Sequence, residues 1–466
     1  MPSIPKIKTK ALKQALSFIA PYRRQVLYAL LALFFTAGIT LSLGQGIRLL
    51  VDQGFATQSV ERLEQSISFF FVLVFGLAVG TFTRYYWVTW IGERVVTDIR
   101  RRVFNHLIDL HPGFFENNRS LEIQSRLTAD TTLLQTVIGS SVSVALRNII
   151  MMVGGIIWLF FTNAKLTGIV MASVPLVVAP ILIYGRHVRG LSRKSQDKVA
   201  DVGSYVGEVL GQIKTVQAYN HQSLDKARFS TVAEEAFEVA KDRIKQRSWL
   251  VSIVICLVLG AIGVMLWVGG TDVISGEISG GELAAFLFYS IIVGSAVCSI
   301  SEVISELQRA AGAMERIVEL LAAESDILEP LDNIAELPKR VSGRIDIENL
   351  SFSYPSRPEV KAIEGFNLSV KAGETLALVG PSGAGKSTLF DLLLRFFDAQ
   401  DGSILLEGVD IKQLELDALR KAFAIVSQHP VLFFGSIEDN LRYGRPEASI
   451  EELEHAAKVA SAHDFI

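Results

Sequence analysis

The sequence predicts two joined folds: a membrane all-α domain of six transmembrane helices, then an α/β domain built around a phosphate-binding loop. Three observations predict this. Six apolar segments each approach the roughly 20 residues that a bilayer crossing requires. The run Gly380-Pro381-Ser382-Gly383-Ala384-Gly385-Lys386-Ser387 matches the pattern G-x-x-x-x-G-K-[ST]. Of the 466 residues, 50% are hydrophobic and 20% charged, with mean hydropathy +0.37, which is too apolar for a purely soluble enzyme.

Residues 1–25 form a basic, amphipathic opening segment. Within it, 10–25 mixes basic and apolar residues and is expected along the inner membrane surface, whereas 1–8 reads equally as a frayed basic tail. Hydropathy places the spans at 26–50, 67–90, 143–161, 166–184, 249–269 and 283–304, inside a membrane domain of 26–321. The first span follows Lys6, Lys8, Lys10 and Lys13 but lacks a small-residue cleavage site, so it reads as a retained anchor. Loop charge sets the orientation. Segment 92–139 carries Arg94, Arg100, Arg101, Arg102, Arg119 and Arg126, and 186–247 is richer still in basic residues. Segment 271–282 has none, and 52–66 has only Arg62. The positive-inside rule therefore puts both termini and both long loops in the cytoplasm of a multi-pass protein.

Within the two long segments, charged and apolar residues recur at helical spacing. Membrane helices are expected to continue into the cytoplasm, turn near 117–121 and 218–222, and return. Segment 322–343, interrupted by Pro330 and Pro338, reads as a linker. In 344–466, residues 344–350, 366–370 and 403–407 alternate like strands. Residues 375–379 read as a short buried strand and 387–397 as a helix whose N-terminus faces phosphate. Glycines 380, 383 and 385 let backbone N–H groups curl around phosphate oxygens. Lys386 supplies a compact positive charge, and the Ser387 hydroxyl can ligate Mg²⁺.

Other signals are open to two readings. Tyr354 either stacks on adenine or is an ordinary core or edge-strand tyrosine. Gln428, at the end of a short apolar run, is placed to reach Mg²⁺ or an attacking water, a weak signal alone. Arg84, Arg147, Glu302 and Glu306 are costly within spans unless they meet water, a partner or the cytoplasmic edge. Trp87 and Trp90 read as interfacial anchors. Cys256 and Cys298 are expected to be buried in membrane helices, with no disulfide or metal spacing. Ser279-Gly280-Gly281-Glu282 reads as a tight loop. Net charge −3 offers no basic field for nucleic acid.

Taken together, these residues resemble ATP-binding cassette exporters, in particular bacterial half-transporters of the lipid A and multidrug export type. The resemblance spans essentially the whole chain. It is most specific in Phe352-Ser353-Tyr354-Pro355, the phosphate loop, Asp401-Gly402-Ser403-Ile404, Val426-Ser427-Gln428-His429-Pro430 and Asn440-Leu441-Arg442-Tyr443-Gly444. Phe114-Phe115-Glu116 with Ser125-Arg126-Leu127, and the stretch 208–229, resemble the family's two coupling regions, with Leu121 where glycine is frequent. The resemblance implies ATP and Mg²⁺ as cofactors, with Tyr354 as adenine platform and Gly380 through Thr388 as phosphate cradle. It also implies that Ser387 and Gln428 hold the metal and that Gln428 serves catalysis. It implies a dimer with a second half-transporter subunit, expected to be a homodimer, in contact with membrane lipids in the bacterial inner membrane. That dimer would export amphipathic, lipidic or drug-like molecules by alternating access. Residues 344–466 are then an incomplete α/β P-loop nucleotide-binding domain, because the family's signature motif, Walker B strand and switch histidine follow this point. The 466-residue chain is accordingly expected to bind nucleotide without hydrolysing it. The alternative is a nucleotide-responsive membrane partner or regulatory protein that never hydrolyses ATP.

Overall fold

The computed structural model describes residues 17–55, 59–330, 334–428 and 430–466. The basic tail 1–8, residues 10–16 of the amphipathic stretch 10–25 and His429 lie outside the described residues, as does the side chain of Cys298. The chain groups into two compact units. One comprises Met1–Ile108 with Leu121–Ala322, the other Asp109–Ser120 with Ala323–Ile466.

Along the chain come α1 (Ser17–Phe55), α2 (Val60–Ile108), the short α3 (Pro112–Asn117), α4 (Ser120–Thr162), α5 (Ala164–Gly211), the short α6 (Ile213–Ala218), α7 (Gln222–Ile274) and α8 (Gly280–Leu321). The six long helices are apolar enough to cross a membrane and contain the six spans read from hydropathy. They also run far beyond them. The 53 residues of α7 extend about 80 Å at 1.5 Å per residue, against a hydrocarbon core of about 30 Å. The turns fall where the sequence places them, around Asn118 and at residues 219–221.

Small residues let the helices of the first unit approach closely, since lipid supplies no hydrophobic drive to press them together. Gly44 of α1 lies under the Tyr289 ring of α8, and the Tyr289 hydroxyl donates to the Leu41 carbonyl at 2.8 Å. Gly92 of α2 lies back to back with Gly139 of α4. A core of Leu159, Leu166, Met265, Phe286, Tyr289 and Val293 joins α4, α5, α7 and α8. Arg126–Asp130 is wound as a π turn within α4, a geometry frequent at functional positions. The carboxylate of Asp130 receives Arg316 of α8 in a two-pronged bond of 2.7 and 2.6 Å.

Two expectations within this unit change. Ser279-Gly280-Gly281-Glu282 is the start of α8 rather than a tight loop. Ser279 and Glu282 form a capping box, Arg48 pairs with Glu282 at 2.6 Å, and Asp52 accepts from the Ser279 hydroxyl and the Gly281 N–H. Cys256 is exposed on α7 rather than buried. Of the three settings open to Arg84, the structure gives it a partner: it is buried, and its Nη1 donates to Ser143 Oγ at 3.1 Å. Of the α8 acids, Glu306 accepts from Ser141, whereas Glu302 is exposed. Trp87 and Trp90 join an aromatic cluster with Tyr22 and Tyr28.

Helices α5 and α7 form a long hairpin whose halves pack on each other, with Lys198 paired to Glu235 at 2.9 Å and Tyr205 stacked on Phe229. Large apolar side chains along it, among them Leu176, Ile183, Val199, Phe237 and Trp249, are exposed.

The second unit carries an antiparallel sheet in the order β2-β1-β3-β4, with β1 (Ile345–Ser353), β2 (Lys361–Val370), β3 (Asp401–Leu406) and β4 (Val409–Asp410). These strands contain most of the residues that alternate in the sequence. Their inward residues Ile347, Leu350, Phe352, Ile363, Ile404 and Leu406 pack against Leu389 and Leu392 of α9 (Lys386–Leu393). α9 ends earlier than the predicted 387–397. Arg395 adopts φ 51°, and Phe396 N–H reaches back to the Asp391 carbonyl at 2.8 Å while Arg395 N–H reaches that of Leu392 at 3.0 Å. That pair of bonds is a Schellman stop, here with arginine at the position usually given to glycine. Residues 375–379 carry no ladder pairing, contrary to the predicted buried strand, and Val379 is 88% exposed. A strand of a parallel sheet is buried only when neighbours flank it, and among the described residues none pairs with it. α10 (Leu416–Lys421), α11 (Ile437–Arg442) and α12 (Ile450–Val459) complete the unit, the last two opening on capping boxes at Ser436 and Ser449.

Candidate nucleotide site

The phosphate loop sits between the unpaired stretch 375–379 and the N-terminus of α9. Two of its three glycines are required by conformation: Gly383 and Gly385 have φ of 83° and 82°. A Cβ on Gly385 would also strike the Ala362 carbonyl and Ile363 of β2. Gly380 has no left-handed φ, and a Cβ there would crowd Ala384. Its small size, not its backbone freedom, is what the loop uses. Pro381, Ser382, Gly383 and Ala384 form the exposed crest.

Lys386 folds back over this crest, its Nζ donating to the carbonyls of Gly380 and Pro381 at 2.8 Å each. An ammonium has three donors, so one remains for an incoming phosphate, and the other two can be exchanged for phosphate oxygens. Ser387 is exposed in the first turn of α9, where helix amides and dipole favour an anion. Among the described residues no group of three His, Cys, Asp or Glu forms a metal cage. Magnesium carried on nucleotide phosphates needs none, because it is held by one or two protein oxygens plus the phosphates. The loop, Lys386 and Ser387 thus fit a magnesium nucleotide.

Tyr354 is brought to this loop from the end of β1. Its hydroxyl lies 3.0 Å from Thr388 Oγ1 and donates to Asp391 Oδ2 at 3.3 Å. Its ring packs edge-on to Phe352 and Phe397, with centroids 5.0 and 5.3 Å away. Thr388 is buried and serves this contact. Gln428 stands exposed in an irregular stretch, and the structure does not bring it into hydrogen-bond contact with Ser387.

The sequence reading missed Asp391, which shares a face of α9 with Thr388 at a spacing of three residues. It named Glu116 only as part of a coupling region. Burial pushes the Asp391 carboxyl above its usual range, opposed by the Tyr354 hydroxyl. Partial burial and then the charge of Asp391 raise Glu116. Burial likewise lifts the Tyr354 phenol. Glu116 arrives on α3, whose Gly113 faces the ring edge of Phe397 at 2.8 Å from where a Cβ would sit. The buried His111, just before α3, accepts from Asp326 N–H at Nδ1 (3.1 Å) and meets the Asp326 carboxylate at Nε2 (3.3 Å). The accepting role of Nδ1 places the ring proton on Nε2. Helix α3 is thereby fastened to the linker.

Separately, the first unit holds an apolar cleft of about 490 Å³, lined by aliphatic residues such as Leu33, Ile91, Leu134, Val142, Leu307 and Met314.

Comparison with known proteins matches residues 26–297 to the ABC transporter transmembrane region and residues 363–465 to the ABC transporter family. A protein of Rickettsia conorii described as an export ATP-binding/permease protein is 31% identical over 456 residues, covering 98% of this chain and 79% of the relative. One of the same description from Rickettsia typhi is 30% identical over the same shares. ABC transporter B family member 1 of Dictyostelium discoideum is 30% identical over 99% of this chain and 50% of its own length. With a glycine loop, a folded-back lysine and six membrane helices in one polypeptide, the chain belongs to the ABC transporter family.

Proposed function

We propose that this chain is the half-transporter of an ATP-driven exporter that moves amphipathic, lipidic or drug-like molecules across a bacterial inner membrane, with both termini cytoplasmic. The observation that carries it is the phosphate loop, with Lys386 poised over its crest, in a chain with six membrane helices. The relatives described as export ATP-binding/permease proteins favour export over other transport. In this reading Gly380 through Thr388 cradle the phosphates, Ser387 and Gln428 hold Mg²⁺, and Tyr354 stacks on adenine. Gln428 would also position the attacking water once brought to the loop, where it is not held in this chain.

The apolar cleft favours a greasy substrate over a polar one. A dimer is favoured by the part of the α5–α7 hairpin beyond the spans, where Val199 and Phe237 expose apolar surface to a second subunit, by this reading a second copy of the chain. The 466 residues alone bind nucleotide without turning it over. Phosphoryl transfer to water requires a base or water-orienting group held in place, and Gln428 is not held at the loop. The apolar residues Val379, Val426 and Leu432, all more than 80% exposed, favour a partner as their cover.

The test is steady-state ATP hydrolysis in lipid nanodiscs. The 466-residue chain should bind ATP and show no turnover. A chain extended to full family length should hydrolyse ATP, and Lys386→Ala should abolish it. Sustained Lys386-dependent turnover by the 466-residue chain would overturn the proposed incompetence. Equal, low activity in the extended chain and its Lys386→Ala variant would overturn the exporter reading.

A further inference from the structure

We propose that Tyr354 is a two-position residue whose hydroxyl reports nucleotide occupancy to α3 through the neighbouring carboxylates of Asp391 and Glu116. This rests on the reading of Tyr354 as the adenine platform. All the groups involved lie in the second compact unit.

In the structure the ring is wedged edge-on against Phe352 and Phe397, and its hydroxyl is engaged by Thr388 and Asp391. A half-buried ring in that seat offers little open face to a purine. Stacking flat on adenine requires the ring to swing outward, and that swing breaks both hydroxyl contacts. The consequence falls on Asp391. Tyr354 is the donor the structure gives its half-buried carboxylate, and the acid beside it, Glu116, is on α3. Glu116 already feels the Asp391 charge, and withdrawing the donor leaves that charge less compensated, which strengthens the repulsion.

The contact with α3 is tight enough for that repulsion to matter. Gly113 of α3 lies so close to Phe397 that a methyl group would collide with the ring, and Phe397 is the ring on which Tyr354 leans. Departure of Tyr354 therefore removes the support behind Phe397 at the moment Asp391 loses its donor. Both changes loosen the same edge of α3. One residue would then carry two signals: the ring reads the base, and the hydroxyl tells α3 that the base has arrived. Asp391 and Glu116 are positioning residues here, since neither reaches the nucleotide.

The experiment is hydrogen exchange of residues 109–120 in the full 466-residue chain in nanodiscs, with and without MgATP, alongside titration with a fluorescent ATP analogue. In the wild type, MgATP should speed exchange of this segment about threefold. Tyr354→Phe keeps the stacking ring but has no hydroxyl contacts to break, so by linkage it should bind the analogue more tightly than the wild type. Its segment should already exchange at the nucleotide-bound wild-type rate, with no further change on adding MgATP. Asp391→Asn removes one charge and should leave exchange slow in both conditions. A wild-type response in Tyr354→Phe or in Asp391→Asn would overturn the relay. Tyr354→Ala tests the underlying reading separately: analogue affinity equal to the wild type would remove the adenine platform, and no binding by the wild type would remove the nucleotide site itself.

Discussion

Asp391 carries the clearest pH signature in the nucleotide unit. Burial raises its carboxyl above the usual range near 4, and Glu116 is raised with it. A raised folded pKa means that the folded state holds the proton to higher pH than the unfolded chain does. Stability from that protonation is complete below the ordinary carboxylate range and is lost as pH rises through the raised value. Asp391→Asn, permanently neutral, should therefore melt above the wild type at neutral pH. The difference should close on acidification toward about pH 4. Thermal unfolding of the two proteins across that range checks this, and a gap that widens on acidification would contradict it. Residue-level legibility was uneven for a physical reason. Gly383, Gly385 and Lys386 belong to a contiguous pattern whose chemistry is local. Asp391, Glu116 and His111 act only because separated segments fold against each other.

At the scale of elements, the π turn Arg126–Asp130 and the bond from Arg316 fasten α4 to α8. The Asp130 side chain is 11% exposed, so removing its partner leaves an unpaired charge nearly out of water. Arg316 is itself 45% exposed, so Arg316→Ala should cost about 1–3 kcal/mol, whereas the pair change with Asp130→Asn should recover much of that. Denaturation of both variants in detergent micelles checks this, and a single mutant as stable as the pair change would contradict it. The six spans were legible because twenty apolar residues admit few other structures. The start of α8 was not, because Ser279-Gly280-Gly281-Glu282 shows its capping role only once Arg48 and Asp52 are beside it. The stretch 375–379 fails in the opposite sense. Its apolar pattern is that of a central parallel strand, and such a strand takes its ladder from neighbours rather than from its own residues.

For the whole molecule, six membrane helices and a nucleotide unit share one chain. Residues 109–120 lie in sequence between α2 and α4 yet pack as part of the nucleotide unit. Everything proposed for the chain depends on triphosphate gripped at 380–388 under Lys386. Photolabelling with an azido-ATP in membrane vesicles, followed by peptide mapping, tests this directly. Mg²⁺-dependent labelling should appear in the peptide containing Tyr354 and be lost in Lys386→Ala; equal labelling of wild type and Lys386→Ala would contradict a grip on triphosphate at this loop.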